Sequence, residues 1–176
     1  MTDPAFARVA LPHLDAAFTL ARWLMRDRAV AEDVVQDALV RAMTYFSSYR
    51  GTNPRAWLLQ IVRNTAYSRM AQSKIAQEES LDADTNHDRL ADPAPDPEAA
   101  AISREGQAML TVALAALAPE LRECLVLREL EDLSYRDIAR ITEVPVGTVM
   151  SRLFRARQAL LRFGHAASVP ARERLA

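Results

Sequence analysis
Four glycines, three histidines and a single cysteine in 176 residues set aside several classes of protein at once. Cys124 has no second cysteine to pair with, so no internal disulfide can form, which fits a reducing cytoplasm. His13, His87 and His165 are scattered, and no Cys/His set has the spacing of metal ligands. A glycine-rich phosphate loop is missing as well. Long apolar runs are also lacking. The longest stretch free of Asp, Glu, Lys and Arg, Gly106 to Pro119, is 14 residues and too short to cross a bilayer. The N-terminal "MTDPAFARVALPHLDAAF" does not have the basic-then-apolar layout of a secretory signal. The expectation is a cytoplasmic protein with no membrane insertion, catalytic residue, metal or cofactor.

What the chain does have is apolar content and segregated charge. Half of its residues are apolar, enough for a real core. The net charge of -1 hides three blocks. Residues 1–74 hold ten Lys/Arg and six Asp/Glu, residues 75–98 one Arg and eight acids, and residues 99–176 eleven Arg and nine acids. The balances are +4, -7 and +2, so two mildly basic blocks flank a strongly acidic spacer. The spacer, "IAQEESLDADTNHDRLADPAPDPE", has no sustained period and three prolines near its end, and reads as a flexible linker. A coil of its 24 residues would span about 25–30 Å, enough to separate two domains or let them dock.

Periodicity makes both flanking blocks helical. Ala31, Val34, Val35, Ala38, Leu39, Ala42, Met43 and Phe46 recur at helical spacing as one apolar face, with Asp33, Gln36, Asp37 and Arg41 off it. A helix is expected before it, over Leu11 to Arg26, and the loop "SSYRGTNPR" follows it. Pro54 suits the first turn of a further helix to about Lys74. That helix is apolar around most of its circumference. Its one mixed stripe is Trp57, Gln60, Asn64, Tyr67 and Ser68, flanked by Arg55, Arg63 and Arg69. Such a stripe can stack on and hydrogen-bond unpaired bases. It can equally be a core tryptophan beside a satisfied amide.

In the C-terminal block, helices are expected over 99–117, from Pro119, from Ser134 with Asp137 in a capping box to Thr142, and from Val146. Cys124 lies among Leu121, Leu125 and Leu127, so it is read as packing. The chain is all-α. In the last helix Val149, Leu153, Ala156 and Leu160 form an apolar face. Thr148, Ser151, Arg152, Arg155, Gln158 and Arg162 lie on another side, with no acid in the helix to neutralise them. Together with the preceding short helix and the turn "EVP" this has helix-turn-helix spacing. Its arginines and hydroxyls suit guanine edges and phosphates.

Several segments together resemble an extracytoplasmic-function sigma factor of the sigma-70 family. "AEDVVQDALVRAM" is similar to region 2.2, "YRGTNPRAWLLQIVRNTAYSRM" to regions 2.3 and 2.4, and "LAPELRECLVLRELEDLSYRDIARITEVPVGTVMSRLFRARQAL" to region 4. The resemblance implies two small helical domains, region 2 over 1–74 and region 4 over 99–164, joined by the acidic linker 75–98 and followed by a tail, 165–176. Core RNA polymerase, promoter DNA and an anti-sigma factor are the partners it implies. It places Asp33, Gln36, Asp37 and Arg41 on the polymerase-docking surface. Tyr49, Asn53, Trp57, Gln60, Asn64 and Tyr67 fall where the minus-10 element is captured, and Thr148, Met150, Ser151, Arg152 and Arg155 where the minus-35 element is read. Met150 stands where many members carry a basic residue, and Gln60 replaces a frequent Arg, so the promoter sequence itself stays open.

Two other readings remain at this stage. A sigma-like mimic would keep the fold but bind an anti-sigma factor and no promoter; the retained arginine face argues against it. A stand-alone helix-turn-helix regulator would bind duplex DNA without polymerase; the 74-residue N-terminal block argues against that.

Overall fold
Three helix starts have a side chain as their local cause. The Asp27 carboxylate accepts the Val30 amide at 3.0 Å and opens α3 (Arg28–Tyr45). The Asn53 side-chain carbonyl accepts the Ala56 amide at 3.0 Å at the start of α4 (Pro54–Glu79). Ser134 Oγ accepts the Asp137 amide at 3.1 Å and donates to the Asp137 carboxylate at 2.7 Å, opening α7 (Tyr135–Thr142). The remaining helices are α1 (Pro4–Ala10), α2 (Leu14–Met25), α5 over 108–115, α6 (Pro119–Glu129) and α8 (Val146–Ser168), with 3₁₀ turns at Leu11–His13 and Phe46–Ser48. This computed structural model describes residues 4–79 and 108–168, and no strand occurs among them.

The all-α expectation holds, with two adjustments. The helix expected over Leu11 to Arg26 is a 3₁₀ turn followed by α2, with a further short helix, α1, before it; Pro12 lies where a continuous helix would need an amide. Helix α4 runs on to Glu79, so the first five residues of the acidic spacer are helical. Its remainder, 80–98, lies outside the described residues, as do 99–107 of the expected 99–117 helix and the end of the tail.

Helices α2, α3 and α4 pack on one another, and α6, α7 and α8 do likewise. The two groups also meet: α2 lies against α6, and α4 against α7. Leu20, Leu58, Leu59 and Val62 from the first group and Leu127, Ile138, Ile141 and Leu153 from the second belong to one buried apolar cluster. Cys124 is fully buried there and its thiol is pushed up to about 11 by burial, so it packs and does not react.

Arg122 fastens the junction. It is buried and has no carboxylate partner among the described residues; its guanidinium donates to the carbonyls of Leu114, Ala115 and Leu117 and, from the other group, of Trp23, at 2.7–2.9 Å. These are carbonyls at or just past helix ends, where the dipole is negative and intrahelical donors run out; Leu114 also accepts the Leu117 amide at 3.2 Å.

Three non-glycine residues end helices or turns with positive φ: Arg26 at 61°, Asp132 at 47° and Glu143 at 56°. Arg26 closes α2, is exposed, and its charge helps hold the buried Arg122 guanidinium below its ordinary value, after burial itself. Arg26→Gly relieves the left-handed strain and that repulsion. Net of the looser unfolded chain, it should stabilise the protein by about 0.5–1 kcal/mol. Thermal melting should rise by roughly 2–4 °C per kcal/mol in a chain of this size, and a fall would contradict the strain assignment.

Candidate nucleic-acid interface
The α3 face is open. Its apolar side buries Ala31, Val34, Val35, Ala38 and Ala42, which turns Asp33, Gln36, Asp37 and Arg41 outward, all exposed. The sequence pattern puts Met43 on the buried side; it is 43% exposed, near the C-terminal end of α3. Val40, 62% exposed, lies in the middle of the polar face and was not singled out by periodicity. A lone valine among acids and amides is the only signal it carries.

The α4 stripe is different, because it is half-buried. Tyr49, Phe46 and Trp57 form an aromatic group, with the Tyr49 and Trp57 ring centroids 4.8 Å apart. Gly51 lets the loop fold this closely: a Cβ there would lie 2.9 Å from the Tyr49 ring. Beyond Trp57 the stripe meets carboxylates of the second helical group. Asn53 Nδ2 donates to Asp137 at 3.0 Å and Gln60 Nε2 to Glu143 at 2.9 Å. Arg55 pairs with Glu131, and Arg63 Nε donates to Glu123 at 3.0 Å. Asn64 accepts from Arg63 Nη1 at 3.2 Å. Tyr67 lies under the Arg63 guanidinium, 4.2 Å from its ring centroid, and its buried hydroxyl sits beside the Glu123 carboxylate without a well-formed hydrogen bond among the described residues. Burial, and after it the charge of Glu123, pushes that phenol far above its usual range. The stripe can thus offer amides, a ring and an unengaged hydroxyl, but only when the carboxylates opposite it move away.

Helix α8 divides as the sequence suggests. Val149, Leu153 and Ala156 are buried, and Ser151, Met150 and Arg155 exposed, with Thr148 half-buried. The turn Glu143–Val144–Pro145 joins α7 to α8 as expected of a helix-turn-helix. One expectation fails. Arg152 does not project freely: its Nη1 donates to Glu123 at 3.3 Å and its side chain is 17% exposed. No acid neutralises it within α8, but α6 supplies one. Glu123 is fully buried between Arg63 and Arg152, and burial pushes its carboxyl up although Arg63 pulls it down. A carboxylate in that position requires its arginines, since an unpaired buried charge costs several kcal/mol.

Glu123 was not recognisable beforehand, because it lies inside the apolar run "ECLVL", where only packing was read. Phe154, 64% exposed beside Met150, was also passed over; it belongs to neither of the two faces that the helical pattern separated. Among the described residues no group of His, Cys, Asp or Glu could hold a metal ion, and no helix is long and apolar enough to cross a membrane.

Comparisons with known proteins match both parts of this arrangement. Residues 10–74 match the family description Sigma-70 region 2, and residues 107–160 match Sigma-70, region 4. The chain is 34% identical over 164 residues to the RNA polymerase sigma-H factor of Pseudomonas aeruginosa, covering 89% of this chain and 84% of that one. It is 37% identical over 134 residues to the ECF RNA polymerase sigma-E factor of Escherichia coli, covering 73% and 70%. Among solved structures, the sigma factor RpoE of Bartonella quintana, in complex with the anti-sigma factor NepR, is similar with a TM-score of 0.74 at 28% identity, over 92% of this chain and 97% of that one. CnrH, solved with the cytosolic domain of CnrY, shares the fold with a TM-score of 0.66 at 24% identity, over 93% and 90%.

Proposed function
The chain belongs to the extracytoplasmic-function branch of the sigma-70 family, and on that premise we propose how its surfaces divide the work of promoter recognition. It is an RNA polymerase sigma factor, which directs core polymerase to promoters in transcription initiation. Residues 1–74 serve as region 2, and 99–164 as region 4. The α3 face of Asp33, Gln36, Asp37 and Arg41, with Val40 at its centre, docks on polymerase. Tyr49, Asn53, Trp57, Gln60, Asn64 and Tyr67 hold an unpaired base of the minus-10 element, the rings by stacking and the amides by edge hydrogen bonds. Thr148, Met150, Ser151, Arg152 and Arg155 read the minus-35 duplex. Arg155 suits a guanine or a phosphate, and Met150 a thymine methyl. No covalent chemistry is assigned to the protein, and it works in the cytoplasm with the polymerase. The anti-sigma factor bound to the similar RpoE supports a partner of that kind here.

The observation that carries this reading is the pairing, in one chain, of an exposed α3 polar face with an exposed Ser151–Arg155 face on a helix-turn-helix. Run-off transcription with core polymerase and a genomic fragment library should yield discrete transcripts that depend on the protein. Asp37→Arg, at an exposed position off the core, should keep its circular dichroism while losing about tenfold or more in affinity for core enzyme, as expected for reversing a charge at an interface. Unchanged affinity would move the docking surface elsewhere.

A further inference from the structure
One feature of the fold is not used by promoter recognition. Four carboxylates of α6, α7 and the short segments after them face the α4 stripe: Glu123, Glu131, Asp137 and Glu143. Their partners on α4 and its cap are, in turn, Arg63, Arg55, Asn53 and Gln60. A row of negative oxygens thus engages the cations and amides that a single-stranded nucleic acid would need. Asn53 and Gln60 donate to a carboxylate in the way they would donate to a base edge or phosphate. By contrast, Asp33, Gln36, Asp37 and Arg41 on α3, and Met150, Ser151 and Arg155 on α8, are exposed in the same state.

We propose that the acidic face of the helix-turn-helix half is a built-in substitute for the DNA strand, which plugs the minus-10 stripe of α4 until the halves separate. The inference rests on the functional reading above and adds an order of events to it. Polymerase and the minus-35 duplex can be met in the closed state, whereas base capture requires opening. The stripe is masked, and of the minus-35 set Arg152 is held by the same Glu123, so that contact too is completed by opening. The closed state is also poised to yield: Glu123 is buried against its preference for water, and the Tyr67 hydroxyl beside it lacks the well-formed hydrogen bond that the open state, or a base, can provide.

Charge reversal at the edge of the plug tests this in the full-length protein. Glu131→Arg with Glu143→Arg sets like charge against Arg55 and removes the acceptor of Gln60. Neither residue belongs to the proposed DNA or polymerase surfaces. By small-angle X-ray scattering the wild type should be compact, and the double variant should show a radius of gyration larger by roughly 5 Å, the spread that a linker of this length permits. Adding Arg55→Glu restores one pair and should return the radius towards the wild-type value. Affinity for a fluorescein-labelled single-stranded oligonucleotide pool of mixed sequence should rise about tenfold in the double variant, the tax of a site that is open in roughly one molecule in ten. Opening without tighter strand binding overturns the plug. So does an unchanged radius with circular dichroism intact. If the double variant loses its helical signal, Glu143→Gly, which relieves a strained φ while deleting one contact, should still raise strand affinity about threefold; no rise overturns the proposal. Run-off transcription by the wild type, measured alongside, separates failure of this inference from failure of the sigma-factor reading.

Discussion

Arg122→Ala is expected to lower the free energy of unfolding by about 3–5 kcal/mol, the largest single-residue effect on stability anticipated in this protein. The reason is the set of acceptors it leaves behind. Leu114, Ala115 and Leu117 carbonyls converge on one guanidinium from the end of α5, and Trp23 adds a fourth from the last turn of α2. Alanine removes this donor from all four carbonyls at once and opens a space lined by their oxygens, of which Leu114 keeps the Leu117 amide. A buried polar group deprived of its partner costs about 1–3 kcal/mol, partly recovered where water can enter. Arg122→Lys keeps the charge but cannot fork to four carbonyls, so an intermediate loss is expected. Urea denaturation followed by circular dichroism measures both. A loss below about 1 kcal/mol for the alanine variant would mean that water already serves these carbonyls.

Asn64→Ala should have the opposite profile, with little change in stability and a large loss in function. The side chain is half-buried, and among the described residues its amide oxygen accepts from the Arg63 guanidinium at 3.2 Å, which keeps Glu123 as a partner when the amide is gone. Polymerase binding and minus-35 contact should therefore stay near wild type. Open-complex formation should fall about 10–100-fold, because extruding a base costs a few kcal/mol and the amide supplies part of the offset. Permanganate footprinting of unpaired thymines reports this directly. A pre-melted template that keeps its minus-10 bases should still show weaker capture. Normal melting by the variant would remove Asn64 from the proposed site.

The elements were legible in the sequence wherever one helix carried its own pattern. The α3 face, the Ser134–Asp137 cap, the "EVP" turn and the buried side of α8 all follow from spacing and local chemistry. Helix α1 was not legible, because seven residues with two buried positions, Phe6 and Ala10, are too few to show a period. The docking of the halves was hidden for another reason. Its contacts join Arg122 to Trp23, Arg63 to Glu123 and Gln60 to Glu143, side chains that no helical wheel brings together. The pattern of α8 alone left Arg152 without an acid; only the packed structure supplies Glu123. The same limit explains the mixed stripe on α4. Its amides and ring first look like either a base-binding surface or satisfied core groups, and in the closed state they are engaged by carboxylates from elsewhere in the chain.

The contact of Tyr49 with Trp57 has an optical consequence. The chain has two tryptophans, Trp23 and Trp57, one at the carbonyl that Arg122 holds and the other in the proposed base-capture site. At a centroid separation of 4.8 Å, light absorbed by the Tyr49 phenol is passed to the Trp57 indole, and a stacked nucleobase would quench that indole. With Trp23→Phe leaving a single emitter, the intrinsic ultraviolet emission of the unlabelled protein becomes a clock for strand capture. Stopped-flow mixing with polymerase and promoter could then time base entry without attaching a dye to any surface on which the reaction depends.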